Sequence, residues 1–271
     1  MTNPFYDSKK LIVSRTGEQA YKDYLARTRD EGKKVGKTKK PKQAITPLDV
    51  PSNINKSDYI VIPNTNIVIS NYELFKQDKL NWENSHYKLA ENGLWMPNAE
   101  LFMPYFLKVK EASEGKITLQ YADGNSVPLG KAQDLWKYLT TNFNSGVWTW
   151  LDDKFIETQN QLYHETEHRA VVDNNGNKIL KANEVSPLEQ CIMEDCYVNL
   201  DFNKQGLATT KSSEQEYKQG ENIYVWYPRK DCVAWFRRRL GWGLSFSAAG
   251  DPSDSDGALG VFACAESIPK K

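Results

Sequence analysis

The sequence lacks several features that would assign it quickly to a functional class. No apolar run is long enough for a membrane-spanning helix, so no membrane span is expected. The 35 basic and 35 acidic residues cancel, which gives no global attraction to nucleic acid or to an anionic membrane. Hydrophobic residues make up only 39% of the 271, but 8 Trp and 14 Tyr offset this share because aromatic side chains bury much area. The length and composition predict one large or two small globular domains.

Cysteine is scarce, with four residues at Cys191, Cys196, Cys232 and Cys264. So few cysteines in a chain of this length do not indicate a disulfide scaffold, and a reducing compartment is the default expectation. Buried free thiols are favoured, while a Cys191–Cys196 or a Cys232–Cys264 bridge stays open. The N-terminus does not resemble a signal peptide. Localisation is left open, including a cell surface reached by another route.

Residues 1–57 are predicted to form a basic, flexible N-terminal arm that precedes a folded domain over 58–271. The basic run Lys33–Lys42 contains Gly and Pro, and like charges extend a chain in solution. An arm that binds nucleic acid or an anionic surface is the alternative. A solvated linker is favoured, so no nucleic-acid partner is expected.

Helical periodicity is confined to the first half of the folded region. Apolar residues recur at helical spacing in residues 81–92, 98–112 and 131–142, and the short segment 72–75 also has a helical pattern. From residue 146 onward, short alternating and aromatic-rich segments separated by turn residues predict strands. The pattern therefore predicts an α+β fold with helices in the N-terminal half and a mostly antiparallel β C-terminal half.

The stretch from residue 240 to 248 alternates strictly and predicts a strand with one buried side. The buried set is large and apolar, and consists of Leu240, Trp242, Leu244, Phe246 and Ala248. The other set is small, has poor strand propensity and is expected to be exposed: Gly241, Gly243, Ser245 and Ser247. A loop rich in Gly, Ser and Asp follows as far as Gly257, and then an uninterrupted apolar strand is predicted over 258–264.

The segment His164-Glu-Thr-Glu-His168 matches the spacing of zinc peptidases. On a helix both imidazoles would share a face and hold one zinc, while Glu165 would act as the base on a bound water. However, the residues that follow Glu167 predict a strand and a turn rather than a continuing helix. Two surface histidines on a strand are therefore favoured, and a zinc-dependent hydrolase is kept as the alternative. No enzyme activity, cofactor or metal is expected.

The C-terminal region resembles the variable region of the target proteins of diversity-generating retroelements, most of all the archaeal members. The resemblance rests on Val233-Ala-Trp-Phe236, on Leu259-Gly-Val-Phe262, and on the preceding strand Asn222-Ile-Tyr-Val-Trp-Tyr-Pro-Arg229. It implies a C-type-lectin fold with a variable region at about 232–266. In this family, adenines of a template RNA are miscopied during reverse transcription. The resulting codon changes alter exposed residues, while the buried scaffold stays fixed.

The resemblance implies a receptor-like protein that binds an unknown ligand, with a protein or cell-surface molecule as the expected partner. The positions between the buried residues hold residue types that such mutagenesis produces. The expected variable, ligand-binding positions are Arg237, Arg239, Gly241, Gly243, Ser245, Ser247, Ala249, Gly250, Asp251, Asp254 and Asp256. The alternative is that these Gly, Ser and Asp residues are ordinary loop residues.

Overall fold

A computed structural model describes residues 50–52, 54–140, 146–239 and 243–266 and confirms the α+β class. The predicted arm therefore lies mostly outside the described residues, although Val50 is already buried in the folded part. The three longer predicted helices are present as α1 (Trp82–Glu91), α2 (Ala99–Ser113) and α3 (Leu129–Thr140), whereas residues 72–75 form no helix and that prediction was wrong. Among the helices described, none has the length and apolar character needed to cross a membrane.

Asparagine side chains set the start of the first two helices. The Asn81 side chain accepts the Asn84 amide at 2.9 Å, and the Asn98 side chain accepts the Leu101 amide at 3.1 Å. Each bond satisfies an amide that has no partner within the first helical turn. Gly93 follows α1 with φ of +68°, a conformation that suits glycine after a helix end.

The strands vary in length from two to eleven residues. In chain order they are β1 (Tyr59–Val61), β2 (Ile67–Ser70), β3 (Trp148–Thr158), β4 (Gln161–Thr166), β5 (Arg169–Val172), β6 (Lys178–Lys181), β7 (Glu184–Pro187), β8 (Cys196–Asn199), β9 (Asn222–Trp226), β10 (Cys232–Arg239), β11 (Gly243–Gly250), β12 (Gly260–Val261) and β13 (Cys264–Glu266).

The main sheet has eight strands in the order β7-β4-β3-β10-β11-β9-β8, with β12 paired to β3. The pairing is mostly antiparallel, as predicted, but β11 pairs with β9 and β12 pairs with β3 in parallel. Since β3 is eleven residues long, its first part pairs with β12 and its second part with β4. The β10–β11 hairpin therefore lies in the middle of the sheet, with neighbours on both sides.

The apolar segment 258–264 is not one uninterrupted strand, and this prediction was wrong. It divides into β12 in the main sheet and the start of β13 in a three-stranded sheet of order β1-β2-β13. Between them, the Phe262 amide donates to Thr149 Oγ1 at 3.2 Å and the Ala263 amide donates to Ser70 Oγ at 3.0 Å. Hydroxyl groups thus replace backbone partners where the chain passes from one sheet to the other.

Two apolar clusters lie on opposite faces of the main sheet. In the first, α2 and α3 pack against the sheet, and Phe102 lies 5.0 Å from Phe236 and 5.4 Å from Phe262 between ring centroids. The second cluster contains Trp150 and Trp235 of the sheet together with Trp82 of α1. Because both faces are covered here, strands β3 and β10 form a rigid support for the side chains near their ends.

Candidate functional site

The β10–β11 hairpin carries most of the positions expected to bind a ligand. Leu244, Phe246 and Ala248 are at most 2% exposed and belong to the cluster beneath α2 and α3, as predicted for the buried set. Leu240, Gly241 and Trp242 lie outside the described residues, as does the side chain of Arg239. The predicted inward half of the alternating strand is confirmed for the residues described.

The opposite half is not exposed, contrary to the sequence-based expectation. Ser245 is 0% exposed and Ser247 is 3% exposed, and Gly243 and Gly250 are also buried. The cause lies in the neighbouring strands, because β11 is central rather than at an edge. Small side chains in a central strand are covered by taller side chains beside them.

The strand register identifies these taller neighbours. Arg237 is opposite Ser245 and Trp235 is opposite Ser247 on β10, while Tyr224 and Trp226 pair with the same serines from β9. Directly paired residues place their side chains on the same face of a sheet. The two serines are therefore buried between larger side chains on both neighbouring strands.

Gly243 and Gly250 have little room for a side chain. Gly243 has φ of +73°, and an added Cβ would lie 2.1 Å from Cγ of Tyr217. At Gly250 an added Cβ would lie 2.8 Å from the carbonyl oxygen of Val233. Both distances are shorter than van der Waals contact, so these two glycines are constrained by the fold.

Among the expected positions that the structure describes, five reach solvent. Asp251, Asp254 and Asp256 are exposed, and Arg237 and Ala249 are partly exposed. Gly250 pairs with Val233 and Gly243 pairs with Arg239, so the aspartates follow one end of the hairpin while Arg237 lies toward the other. The structure thus divides the expected ligand face into an arginine end and an acidic loop.

Two of the aspartates stabilise their own loop. Asp251 Oδ1 accepts the Ser253 amide at 2.8 Å and the Ser253 hydroxyl at 2.7 Å, and Asp256 Oδ1 accepts the Ala258 amide at 2.7 Å. The backbone and hydroxyl bonds from Ser253 lower the pKa of Asp251. Such local bonds are typical of Asp in turns, as the alternative of ordinary loop residues expects.

Around the arginine end, five aromatic side chains surround the serines of β11. We call this set the aromatic–arginine face: Trp148, Tyr197, Tyr224, Trp226, Trp235 and Arg237. Cζ of Arg237 lies 5.0 Å from the ring centroids of both Trp148 and Trp235. All six except Trp235 are partly exposed, and Trp235 is 8% exposed.

The aromatic rings of this face pack in two groups, one on β8 and β9 and the other, Trp148 with Trp235, on β3 and β10. Tyr224 lies 5.0 Å from Tyr197 and 4.8 Å from Trp226, both in edge-to-face geometry. Such pairs contribute beyond the area they bury. The face is therefore held in a fixed arrangement on a rigid sheet.

The second candidate site involves the histidines, and here the expectation of surface positions was wrong. His164 is 3% exposed and His168 is 5% exposed. His164 lies in β4 and His168 follows it, so the helical geometry required by the zinc-hydrolase alternative is not formed. Each histidine is instead paired with an aspartate of the neighbouring strand β3.

Asp152 and Asp153 are adjacent and bond to groups on opposite faces of the sheet. Asp153 Oδ1 lies 2.7 Å from His164 Nε2, and its Oδ2 accepts the Ala99 amide at the start of α2 at 2.9 Å. Asp152 Oδ1 lies 2.6 Å from His168 Nδ1, and its Oδ2 accepts the His168 amide at 3.0 Å. These four side chains are buried, and each has a hydrogen-bond partner, as the burial of polar groups requires.

The chain's third histidine, His86 of α1, lies next to Asp152 and His168. Its Nε2 lies 3.5 Å from Asp152 Oδ1, and its ring lies 5.6 Å from that of His168. Trp82, one helical turn earlier, packs edge-on against both imidazoles at 4.5 and 4.8 Å between centroids. Sequence reasoning missed Asp152, Asp153 and His86, although two adjacent acids in an aromatic-rich strand signal a need for buried partners.

The protonation states in this group follow from burial and pairing. Burial, together with the charges of His168 and Arg169, lowers the pKa of His86 well below its ordinary value. Burial also acts to lower the pKa of His168, but hydrogen bonds to Asp152 and Glu165 outweigh it and raise that pKa to about 9. Burial raises the pKa of Asp152 to about 6, against the lowering effect of His168. At pH 7 an ion pair between Asp152 and His168 thus lies beside a neutral His86.

A pH-dependent stability is expected from Glu100, near the start of α2. Burial first, and then the charges of Glu184 and other acids, raise its pKa to about 7, above the ordinary value of 4.5. Because the pKa of Glu100 is higher in the folded protein than in the unfolded chain, its protonated carboxyl favours the folded state. This contribution is complete below the unfolded pKa and is lost as the pH rises through about 7. Between pH 5 and pH 8 the free energy of unfolding should therefore fall in the unchanged protein. In Glu100→Gln, urea unfolding should show that this fall is smaller by about 1–2 kcal/mol.

The control for this prediction is Glu221→Gln, which changes an exposed turn residue. Its pH profile should match that of the unchanged protein. An equal profile for Glu100→Gln and the unchanged protein would contradict the role given to Glu100.

All four cysteines are free thiols, and neither possible bridge is formed. Cys264 is 0% exposed, and burial raises its pKa well above the ordinary value. Cys191, Cys196 and Cys232 are partly exposed. The favoured expectation of free thiols is thus confirmed, although only one of them is fully buried.

Searches for similar proteins found no matching family model, no matching curated protein and no matching solved structure.

Proposed function

We propose that this protein is a ligand-binding protein with a C-type-lectin fold that recognises its partner through the aromatic–arginine face. Its exposed C-terminal positions are diversified by a retroelement, while the sheet beneath them is kept. The observation that carries the proposal is the set of Trp, Tyr and Arg side chains that four strands place around the serines of β11 on one face of the sheet, all but Trp235 partly exposed. Aromatic residues and arginine are the types most enriched in the energetically important parts of protein interfaces.

The rigidity of the sheet supports recognition by this face. The arginine has two indole rings beside it, and the tyrosines are packed edge-to-face, so few side-chain rotations are lost on binding. The two cation–π contacts restrain the Arg237 guanidinium, so its N–H donors keep a fixed direction. A protein partner that places a carboxylate over Arg237 and an apolar group over Tyr224 fits this chemistry.

Diversification is best supported at the positions that reach solvent. Arg237, Ala249, Asp251, Asp254 and Asp256 can change without an apolar cavity or a backbone clash. Gly243 and Gly250 are limited by nearby atoms, and Ser245 and Ser247 are limited by the larger side chains beside them. We therefore expect broad variation at the first five positions and only small residues at the two serines.

The test is binding by variants of the face. The labelled protein is applied to an array of cell-surface proteins and glycans, beside Arg237→Ala and Tyr224→Ala. Each change removes a partly exposed side chain from the interface centre, and we expect at least tenfold weaker binding to any target recognised, since central interface residues contribute over 1 kcal/mol.

Asp134→Ala on the exposed side of α3 is the matched control and should bind as the unchanged protein does. Circular dichroism of each variant establishes that it is folded. If folded Arg237→Ala and Tyr224→Ala retain full binding to every target, recognition does not involve this face.

A further inference from the structure

The group formed by His86, Asp152 and His168 has the composition of a metal site. One ring nitrogen of His86, one oxygen of Asp152 and one ring nitrogen of His168 all lie within 4.8 Å of one another. All three residues are at most 5% exposed. Two imidazoles and a carboxylate are a ligand set that zinc commonly takes in proteins.

One atom in this group is buried without a partner among the described residues. His86 Nε2 is buried and finds no hydrogen-bond partner among the residues that the structure describes. Its separation of 3.5 Å from Asp152 Oδ1 is too long for a good hydrogen bond but suits two ligands of one ion. Buried polar atoms without partners are rare and require an explanation.

The distances fit a zinc ion after a small adjustment. Zinc bonds of about 2.0–2.1 Å in a tetrahedral arrangement put neighbouring ligand atoms about 3.3 Å apart. The His86–Asp152 distance of 3.5 Å already agrees with this value, and the His168–Asp152 distance of 2.6 Å would have to lengthen. The ion would thus replace the proton now shared by Asp152 and His168.

The surrounding contacts orient these three ligands. Asp152 uses its second oxygen to accept the His168 amide at 3.0 Å, and Glu165 Oε2 lies 3.9 Å from the other ring nitrogen of His168. Trp82 fixes the planes of both rings. Metal-binding histidines commonly have a carboxylate or carbonyl near their second nitrogen, which sets the orientation of the ring.

The charges near the group are compatible with a cation. The carboxylates of Asp152 and Glu165 offset the ion, while the Arg169 guanidinium donates to the His168 carbonyl at 3.2 Å and lies 5.4 Å from the Trp95 ring. The ligands come from α1, from β3 and from the turn before β5. An ion here would therefore tie three distant segments together.

We propose that His86, Asp152 and His168 bind one zinc ion, with a water molecule as the fourth ligand. The ion would hold α1 against the sheet, because His86 lies on α1 and Asp152 lies on β3. This site differs from the His164-Glu165-x-x-His168 set, since only His168 is common to the two.

The test uses the full chain after chelation and dialysis. Titration with Co²⁺, which replaces zinc and absorbs visible light when four-coordinate, should give one equivalent per chain. Zinc at about a hundredfold excess over its dissociation constant should raise the melting temperature by about 5 °C. His86→Phe keeps the packing against Trp82 but removes the nitrogen, and should lose both effects while remaining folded.

The control is His164→Gln, which removes the one histidine outside the group and should keep one equivalent of cobalt. If it fails to fold, the comparison of the unchanged protein with His86→Phe still decides. The proposal is overturned if the unchanged protein binds no stoichiometric cobalt, or if folded His86→Phe binds it equally well, as ligation by the cysteines would predict.

Discussion

Gly243→Ala is expected to lower the free energy of unfolding by about 3 kcal/mol. The φ of +73° costs an alanine about 1 kcal/mol, and the added Cβ, 2.1 Å from Tyr217 Cγ, adds an overlap cost of similar or larger size. The overlap involves the stem of the tyrosine, so a simple rotation of the ring does not relieve it. Urea unfolding measures the difference directly.

Gly93→Ala is the matched control for this change. Its φ of +68° is nearly the same, but an added Cβ meets no atom within 4 Å. Only the conformational cost of about 1 kcal/mol should appear there. Equal losses for the two variants would mean that Tyr217 does not restrict Gly243, and that this position is as free to vary as the sequence suggested.

Asp153→Ala is expected to destabilise the protein by about 3–5 kcal/mol. The change removes the partner of His164 Nε2 and of the Ala99 amide at once, and both groups stay buried. Removing one partner of a buried hydrogen-bonded pair leaves the desolvation penalty of the other uncompensated. The negative charge at the N-terminus of α2 is also lost.

Asp134→Ala removes an exposed aspartate from α3 and should change the unfolding free energy by less than about 0.5 kcal/mol. A double-mutant cycle between Asp153→Ala and His164→Ala isolates their interaction, and coupling of at least about 1.5 kcal/mol is expected. Coupling near zero would mean that the short contact does not stabilise the fold.

The helices and their ends could be predicted because they depend on local chemistry. The predicted helical segments begin at Asn81 and Asn98, and in the structure these two residues are the N-caps of α1 and α2. The sheet order could not be predicted in the same way. Whether β11 pairs with β9 in parallel depends on contacts between segments that are distant in sequence.

The alternating strand shows where periodicity stops being informative. It correctly identified Leu244 and Phe246 as buried, because apolar residues at period two indicate one covered face. It could not indicate that Ser245 is also buried, since the large neighbours that cover it come from β9 and β10. Small polar residues at a central position are therefore weak evidence of exposure.

The histidines illustrate the opposite limitation. The spacing of His164 and His168 suggested a shared zinc, but the two residues bond to different aspartates. The third member near Asp152, His86, is more than sixty residues away in sequence, so no local motif contains it. Only the packing of α1 against the sheet brings it to the group.

Sequencing the DNA around the gene tests the proposed function most directly. We expect a near-identical repeat of the codons for residues 232–266 and a reverse-transcriptase gene nearby. Differences from the repeat should fall at template adenines, at positions such as Arg237, Ala249 and Asp251, and should spare Leu244 and Phe246. The absence of such a repeat, or differences spread equally over the buried codons, would contradict diversification of this surface.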